Sequence, residues 1–262
     1  MRVPTNRPDS QYSFSSKKKD CKSVKCPIEP NYVHEGEKDP KYEYLCRSLI
    51  GGLLYLTLCS RPDITVAVSI LSRYQNVANI HLWNSLKHIL RYIKGTKNLS
   101  LIYRRNAEPM VMKCYADADW GSDKVTRRST SGYTFQINGN TVVWKSKRQN
   151  SVALSTAEAE YVSLSEATSE IIWVNNVVLD LSIDIPKPIV LYEDNQSAIK
   201  VATAQASKAK HIDIRYHFVR EKIEDNFVKL EYIESNSQIA DILTKPLSGS
   251  NFQCMREKLG VL

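Results

Sequence analysis

Four carboxylates stand where proteins usually place chemistry. Asp117 falls at the end of a β-like run, in Tyr115-Ala-Asp-Ala-Asp119, and Glu160 in the first turns of a long helical stretch, in Ser155-Thr-Ala-Glu-Ala-Glu-Tyr161. Asp194 follows an apolar run, in Tyr192-Glu-Asp-Asn-Gln196, and Asp241 sits in Gln238-Ile-Ala-Asp-Ile-Leu-Thr-Lys-Pro246. Two acids at strand ends and two on helices can converge on one edge of a sheet. A pair of bare carboxylates about 4 Å apart costs about 4 kcal/mol at an effective dielectric of about 20. Such a cluster needs protons or cations to hold it together. Oxygen ligands without His or Cys select hard cations, Mg²⁺ first and Mn²⁺ second. Two such ions about 4 Å apart suit in-line cleavage of a phosphodiester, one activating the attacking water and the other stabilising the leaving oxygen. Strand-end Asp residues are also common turn formers, so spacing alone leaves both readings open.

The elements that must position these acids can be read from periodicity. Short β-like runs are expected at 99–104, 111–119, 131–138 and 140–147, with Asn138-Gly139 as a tight turn between the last two. A long helix is expected over about 155–181, then a buried-type strand Ile189-Val190-Leu191-Tyr192. Helices at about 196–205 and 211–225, a strand at 227–233 and short helices around 237–245 and 250–259 complete the series. The order βββ-α-β-α-α-β-α predicts an α/β fold: a mixed five-stranded sheet flanked by helices. Ahead of it, 41–97 reads as helical. Tyr44 to Leu58 is nearly all apolar, Arg61-Pro62-Asp63 breaks the run, and helices follow at about 62–75 and 80–95. Lys87, Arg91, Lys94 and Lys97 stripe one side of the last, a surface for a nucleic-acid backbone or an ordinary wet face. Residues 1–40, with five prolines and Lys17-Lys18-Lys19, read as extended, partly disordered basic chain.

The 262 residues are 42% hydrophobic, enough for a real core. The net charge of +8 is uneven: residues 1–105 hold 18 Lys and Arg against 8 Asp and Glu, leaving the remainder at −2. A basic segment is the footprint of a phosphate-binding surface, and equally of a solvated face. The apolar run near Ser48 to Cys59 is too short to span a bilayer, and the N-terminus has no apolar signal core. An intracellular protein, cytoplasmic or nuclear, not secreted and without membrane contact, is expected. The six cysteines form no Cys-x-x-Cys pair and have no His at zinc spacing, so free thiols are expected.

Seven motifs then occur in a fixed order. They are Tyr-x-Asp-x-Asp-Trp at 115–120, Arg-Arg-Ser-Thr-Ser-Gly-Tyr at 127–133, Trp-Lys-Ser-Lys-Arg-Gln at 144–149 and Glu-Ala-Glu-Tyr at 158–161. Asp-Asn-Gln-Ser-Ala at 194–198, Lys-His-Ile-Asp-Ile-Arg-Tyr-His at 210–217 and Ala-Asp-Ile-Leu-Thr-Lys-Pro-Leu at 240–247 follow. The set resembles the ribonuclease H domain at the C-terminal end of copia-type retrotransposon Pol polyproteins. Cys21-Lys-Ser-Val-Lys, Tyr44-x-x-x-x-Ser-Leu-Ile-Gly, Cys59-x-Arg-Pro-Asp63 and Leu90-Arg-Tyr-Ile-Lys-Gly-Thr96 resemble the thumb and connection end of the same reverse transcriptase. The division expected is therefore 1–40 extended, 41–106 helical thumb/connection remnant, 107–250 ribonuclease H-like and 251–262 C-terminal helix or tail.

The resemblance implies a metal-dependent endonuclease that hydrolyses the RNA strand of RNA–DNA hybrids, using two Mg²⁺ or Mn²⁺ ions held by Asp117, Glu160, Asp194 and Asp241. Asp117 would bridge both ions, though alternation cannot separate it from Asp119, two residues on along one face. Glu160 would be a ligand that also touches the ribose 2′-OH, and its helical edge is shared with Leu164, Ala167 and Ile171. Candidate phosphate contacts are Lys145, Lys147, Arg148, Lys208, Lys210 and Arg215. Trp120, Tyr133 and Trp144 read as core aromatics ahead of base-stacking platforms. Two departures stand out: the loop Glu234-Ser-Asn-Ser-Gln238 lacks the His that some ribonucleases H carry there, and no Tyr-x-Asp-Asp polymerase motif is found. His211 and His217 read as structural. The partners expected are the hybrid and other Pol-derived domains. The competing reading is a non-catalytic fragment that binds nucleic acid or Pol.

Overall fold

The computed structural model describes residues 21–30, 32–105, 110–203 and 213–262, the side chains of 213–216 excepted. Three helices lead: α1 (Pro40–Cys59), α2 (Thr65–Ser72, entered through a 3₁₀ turn at Pro62–Ile64) and α3 (Ile80–Gly95). The sheet strands are β1 (Met112–Asp119), β2 (Thr130–Ile137), β3 (Asn140–Arg148), β4 (Ile189–Glu193) and β5 (Val228–Tyr232). Between and after them come α4 (Thr156–Asp180), α5 (Gln196–Thr203), α6 (Asp213–Glu224), α7 (Asp241–Thr244) and α8 (Gly249–Lys258).

The spatial order is β3-β2-β1-β4-β5. β1 to β3 are antiparallel, while β4 runs parallel to β1 and β5 parallel to β4. This is the mixed five-stranded sheet expected, in the ribonuclease H-like arrangement. The β2–β3 hairpin turns where Asn138 and Gly139 both take positive φ (49° and 78°), the combination that matches the twist of the flanking strands. The expected strand at 99–104 does not form. Only Leu101 bridges to Val261, so this segment ties the C-terminus to the end of α3 without joining the sheet.

Each sheet face is covered by helices. α4 lies on one face, with Leu164, Ala167, Ile171 and Val174 against Cys114, Ala116, Phe135 and Leu191. On the other face Tyr115, Tyr192 and Trp144 join a single core with α1, α2, α3, α7 and α8. Trp144 also donates its Nε1–H to the Thr57 carbonyl at 2.6 Å, so the leading helices and the sheet are fastened together. Residues 21–30 and 32–39 have no regular secondary structure. They lie across α3, where Arg91, Lys94 and His88 bond the carbonyls of Lys22, Cys21 and Cys26. Two cations of the α3 stripe are thus occupied by backbone carbonyls. The division expected near 106 falls in 106–109, and the segment 1–20 likewise lies outside the described residues. The cysteines are free, with Cys46 and Cys114 buried.

Candidate active site

Strand order places the site. From β1 the chain proceeds to β2 and β3 on one side, and later to β4 and β5 on the other. β1/β4 is therefore a switch point, where crevices open beyond the carboxyl ends of parallel strands. Here β1 and β4 pair only over Lys113–Tyr115 and Val190–Tyr192, then separate. The Gln238 side chain fills the split, donating to the Ala116 carbonyl at 2.8 Å and the Tyr192 carbonyl at 3.5 Å. Asp117 and Asp194 emerge just beyond it.

Asp117, Glu160 and Asp194 bring carboxylate oxygens within 4.8 Å of one another, the one such group of His, Cys, Asp or Glu among the described residues. Asp117 lies on the α7 side of β1, opposite Gly132 of β2. Thr244 donates its hydroxyl to Asp117 Oδ2, and Ser163 of α4 holds the Asp117 carbonyl at 2.8 Å. Glu160 comes from the opposite face and accepts the Ala118 N–H. Its neighbour Glu158 has other work. Ser155 caps α4 by accepting the Glu158 N–H, and Glu158 reaches back to the Leu154 N–H at 2.8 Å. This reciprocal capping fixes the helix start and aims Glu160 at the sheet. Asp194 is half-buried and accepts from Ser235 at 2.6 Å. Asp241 opens α7, within hydrogen-bonding reach of Asp117, and pairs with Lys245 at 2.9 Å.

α7 approaches because Gly132 has no side chain. A Cβ there would meet Thr244 Cγ2 at 2.6 Å, Leu243 Cβ at 2.9 Å and Leu243 backbone carbon at 3.1 Å. The glycine of the Arg-Arg-Ser-Thr-Ser-Gly-Tyr motif therefore seats the helix that carries Asp241 and Thr244.

The electrostatics are those of crowded, dehydrated acids. Burial, then neighbouring carboxylates, push Glu160 well above the usual range, with Glu193 and Asp117 its nearest opponents. Burial raises Asp117 as well, against the pull of Lys245 and Thr244. Asp241 is pushed up to about 7, by burial first and Asp117 second. Glu193 was not anticipated. It is fully buried at the end of β4, raised by burial and by Asp117 and Asp194. The signal was present: Ile189, Leu191 and Glu193 alternate on the buried face of β4, so Glu193 ends the apolar row. Among the described residues, Glu160 Oε2 and Glu193 Oε2 find no hydrogen-bond partner. Buried carboxylate oxygens left unpartnered, in an oxygen-only donor set, fit a hard divalent cation.

Asp119 is not in that group. It lines a neighbouring cleft of about 440 Å³ with Arg73, Tyr74, Lys124, Arg127 and Lys245, and burial raises it to about 6. The basic candidates are elsewhere too. On the edge strand β3, Lys145 pairs with Glu170 at 3.9 Å, Lys147 with Glu166 at 3.0 Å and Arg148 with Asp123 at 2.7 Å. Lys208, Lys210 and His211, and the side chain of Arg215, lie outside the described residues. Tyr133 is buried and Trp144 packs in the core. Trp120 does not: it follows the end of β1 and is 46% exposed while donating to the Ala153 carbonyl.

Fold and acid cluster together define a ribonuclease H-like protein. The chain belongs to the copia-type retrotransposon Pol family. It is 37% identical over 234 residues to the Pol polyprotein from transposon TNT 1-94 of Nicotiana tabacum, 88% of this chain and 17% of that one. It is 36% identical over 233 residues to that from transposon RE2 of Arabidopsis thaliana, again 88% of this chain and 16% of the relative. The chain thus spans about one sixth of these polyproteins. It is also 44% identical over 126 residues to secreted RxLR effector protein 161 of Plasmopara viticola, 48% of this chain and 88% of that protein. LC11-RNase H1, solved in complex with an RNA/DNA hybrid, superposes with a TM-score of 0.39 at 11% identity, over 51% of this chain and 93% of that one. No protein-family model matches. Among the described residues, no helix is long and apolar enough to cross a membrane.

Proposed function

We propose that this chain hydrolyses the RNA strand of RNA–DNA hybrids, with two Mg²⁺ or Mn²⁺ ions held by Asp117, Glu160, Asp194 and Asp241. The observation that carries the reading is the convergence of Asp117, Glu160 and Asp194 within 4.8 Å at the parting of β1 and β4. When bound, divalent ions supply the positive charge that activates a water and stabilises the leaving oxygen. The chain's own groups do the positioning. Thr244 and Ser163 fix Asp117 by side chain and main chain. Ser235 orients Asp194, and the capped start of α4 aims Glu160, for which contact with a ribose 2′-OH is proposed from the family resemblance. Gln238 bridges the split below the acids by donating to the Ala116 and Tyr192 carbonyls.

Recognition rests on duplex shape and 2′-OH contacts, with little base readout. Lys145 and Lys147 would contact phosphates by exchanging their carboxylate partners, a small change because half-exposed ion pairs contribute only about 0–1 kcal/mol. Arg148 is proposed for the same role through the part of its guanidinium not engaged by buried Asp123. Lys208, Lys210 and Arg215 are proposed for the same role on sequence grounds. The test is cleavage of a labelled hybrid in Mg²⁺ or Mn²⁺, with EDTA and Asp194→Asn as controls. Cutting of the RNA strand alone, lost in both controls, is expected. Folded protein that cuts in neither metal would sink the reading.

A second reading has one observation in its favour. The outer face of α1 leaves Tyr44, Tyr55 and Leu58 exposed, Leu58 by 76%, which suits a non-catalytic fragment that binds another Pol-derived domain. That reading moves to first place if cutting fails.

A further inference from the structure

Among the described residues, Lys245 is the cation paired with the acid cluster. Its ammonium lies 2.9 Å from Asp241 Oδ1, one helical turn back. It is also a charge neighbour of Asp117 and Asp119. Its backbone is fixed in extended conformation at the end of α7, ahead of Pro246, which disfavours any helical alternative. Its side chain is not fixed to the same degree. It is 38% exposed, against 12% for Asp241, and it lines the cleft shared with Asp119, Arg73, Lys124 and Arg127. A four-carbon stem rooted in rigid backbone can carry the ammonium from Asp241 into that cleft.

We propose that Lys245 is a tethered counter-cation, a built-in competitor that a divalent ion must displace from Asp241. The inference rests on the metal reading of the acid cluster and adds a regulatory element to it. An ammonium and a divalent cation compete for one carboxylate oxygen, because like charges a few ångströms apart repel strongly at protein dielectric. An ion that binds through Asp241 Oδ1 therefore displaces the ammonium. Loss of the ion lets the ammonium return, so Asp241 need not stand bare beside Asp117. The site is then asymmetric. The Asp241 side holds its ion loosely, because the Lys245 ion pair occupies Oδ1, an oxygen with no hydrogen bond, while Glu160 Oε2 has neither a hydrogen bond nor a tethered competitor among the described residues.

Mn²⁺ binding and thermal melting of the full chain test the idea, using the parent, Lys245→Met, Lys245→Gln, Lys245→Arg and Asp194→Asn. Free Mn²⁺ is read by electron paramagnetic resonance, so no activity is required. With the competitor gone, Lys245→Met and Lys245→Gln should bind Mn²⁺ at least about tenfold more tightly than the parent, a modest outcome for removing a full charge at this distance. Both should melt lower than the parent in EDTA, and the gap should close or reverse in Mn²⁺, while Lys245→Arg follows the parent. If Lys245→Met fails to fold in EDTA, the glutamine variant and rescue by Mn²⁺ supply the same comparison. Parental Mn²⁺ binding that disappears in Asp194→Asn but is equal or weaker in Lys245→Met and Lys245→Gln would overturn the counter-cation alone. Absence of Mn²⁺ binding from the parent and every lysine variant would overturn the metal reading and this inference with it.

Discussion

Two buried acidic centres in this chain are built in opposite ways. In the leading helices, Asp63 is fully buried, yet each of its oxygens is matched. Arg61 donates to Oδ1 at 2.9 Å and to Oδ2 at 2.8 Å, and the Tyr92 hydroxyl donates to Oδ2 at 2.6 Å. Arg61 also reaches Thr96, whose hydroxyl holds the Tyr92 carbonyl. At the sheet, of Asp117, Glu160, Glu193 and Asp241, Lys245 stands beside Asp117 and Asp241 only. Among the described residues Glu160 Oε2 and Glu193 Oε2 find no partner, and Asp241 Oδ1 has the Lys245 ion pair but no hydrogen bond. Both centres sit in family motifs. The satisfied one fastens Arg61-Pro62-Asp63 to the end of α3. The under-satisfied one stores repulsion that only a proton or a cation can relieve. The pairing of buried acids, rather than their presence, separates a structural motif from a site.

The largest contrast should come from neutralising one acid in each centre. Asp117→Asn should reduce hybrid cleavage below detection while leaving the melting temperature in EDTA unchanged or higher, because a repelling charge is lost. Asp63→Ala should do the reverse. Removing one partner of a buried, hydrogen-bonded pair costs about 3–5 kcal/mol, read as a lower denaturant midpoint, and activity should persist wherever the protein is folded. A destabilised Asp117→Asn, or an undisturbed Asp63→Ala, would break the comparison.

Gly132→Ala should fall next. Its methyl would strike Leu243 and Thr244, and overpacking of this kind costs about 1–3 kcal/mol. The specific expectation is that cleavage falls further than stability, because α7 carries Asp241 and Thr244. Equal melting and equal kcat/KM for the variant and the parent would show that α7 relaxes freely.

Gly132 also marks the limit of what the sequence discloses. Strand and helix periods located the five strands and α4 within a residue or two, because long periodic segments bury one face. The four acids were legible as types at element ends, and the capping pattern at Ser155 separates Glu158 from Glu160. Two things were not legible. The run at 99–104 has strand composition but meets only residues 260–262, away from the sheet. Trp120 looks like a core aromatic until β1 ends beneath it. Both depend on what lies across from a residue, which local pattern does not encode. Glu193 was legible but passed over in favour of Asp194: alternation along β4 pointed to it.

pH sharpens the contrast with a smaller effect. Asp123 is buried, which by itself would raise it, but Arg148 and the N–H groups of Val125 and Thr126 hold it at about 2. A depressed acid contributes stability above its unfolded pKa of about 4, and that stability is lost as pH falls toward 2. Asp241, held near 7, has the opposite sign: it takes up a proton on folding, so in EDTA stability should rise as pH falls from about 7 toward 4. Urea midpoints between pH 8 and 3 should therefore pass through a maximum near pH 4. Asp123→Asn should flatten the acid limb and Asp241→Asn the neutral one. Unchanged limbs in both variants would remove these two acids from the account.

The smallest effect belongs to a polar group with no charge at all. Asn79 caps α3 by accepting the Leu82 N–H at 3.1 Å, while its amide donates to the carbonyls of Glu35 and Glu37. One side chain thus starts the helix and holds the strap that crosses it. Loss of an N-cap costs about 0.5–2 kcal/mol, so Asn79→Ala should lower the unfolding free energy by about that amount, read from the denaturant midpoint at unchanged slope. Asn79→Asp keeps the cap acceptor and removes both donors. If the strap matters, the aspartate variant should restore only part of the loss, and hydrogen exchange should quicken in 32–39 while staying slow in α4. Full restoration by aspartate would mean that the cap alone stabilises this end of the molecule, and that the strap rests on Ile28 and on the carbonyls bonded by α3.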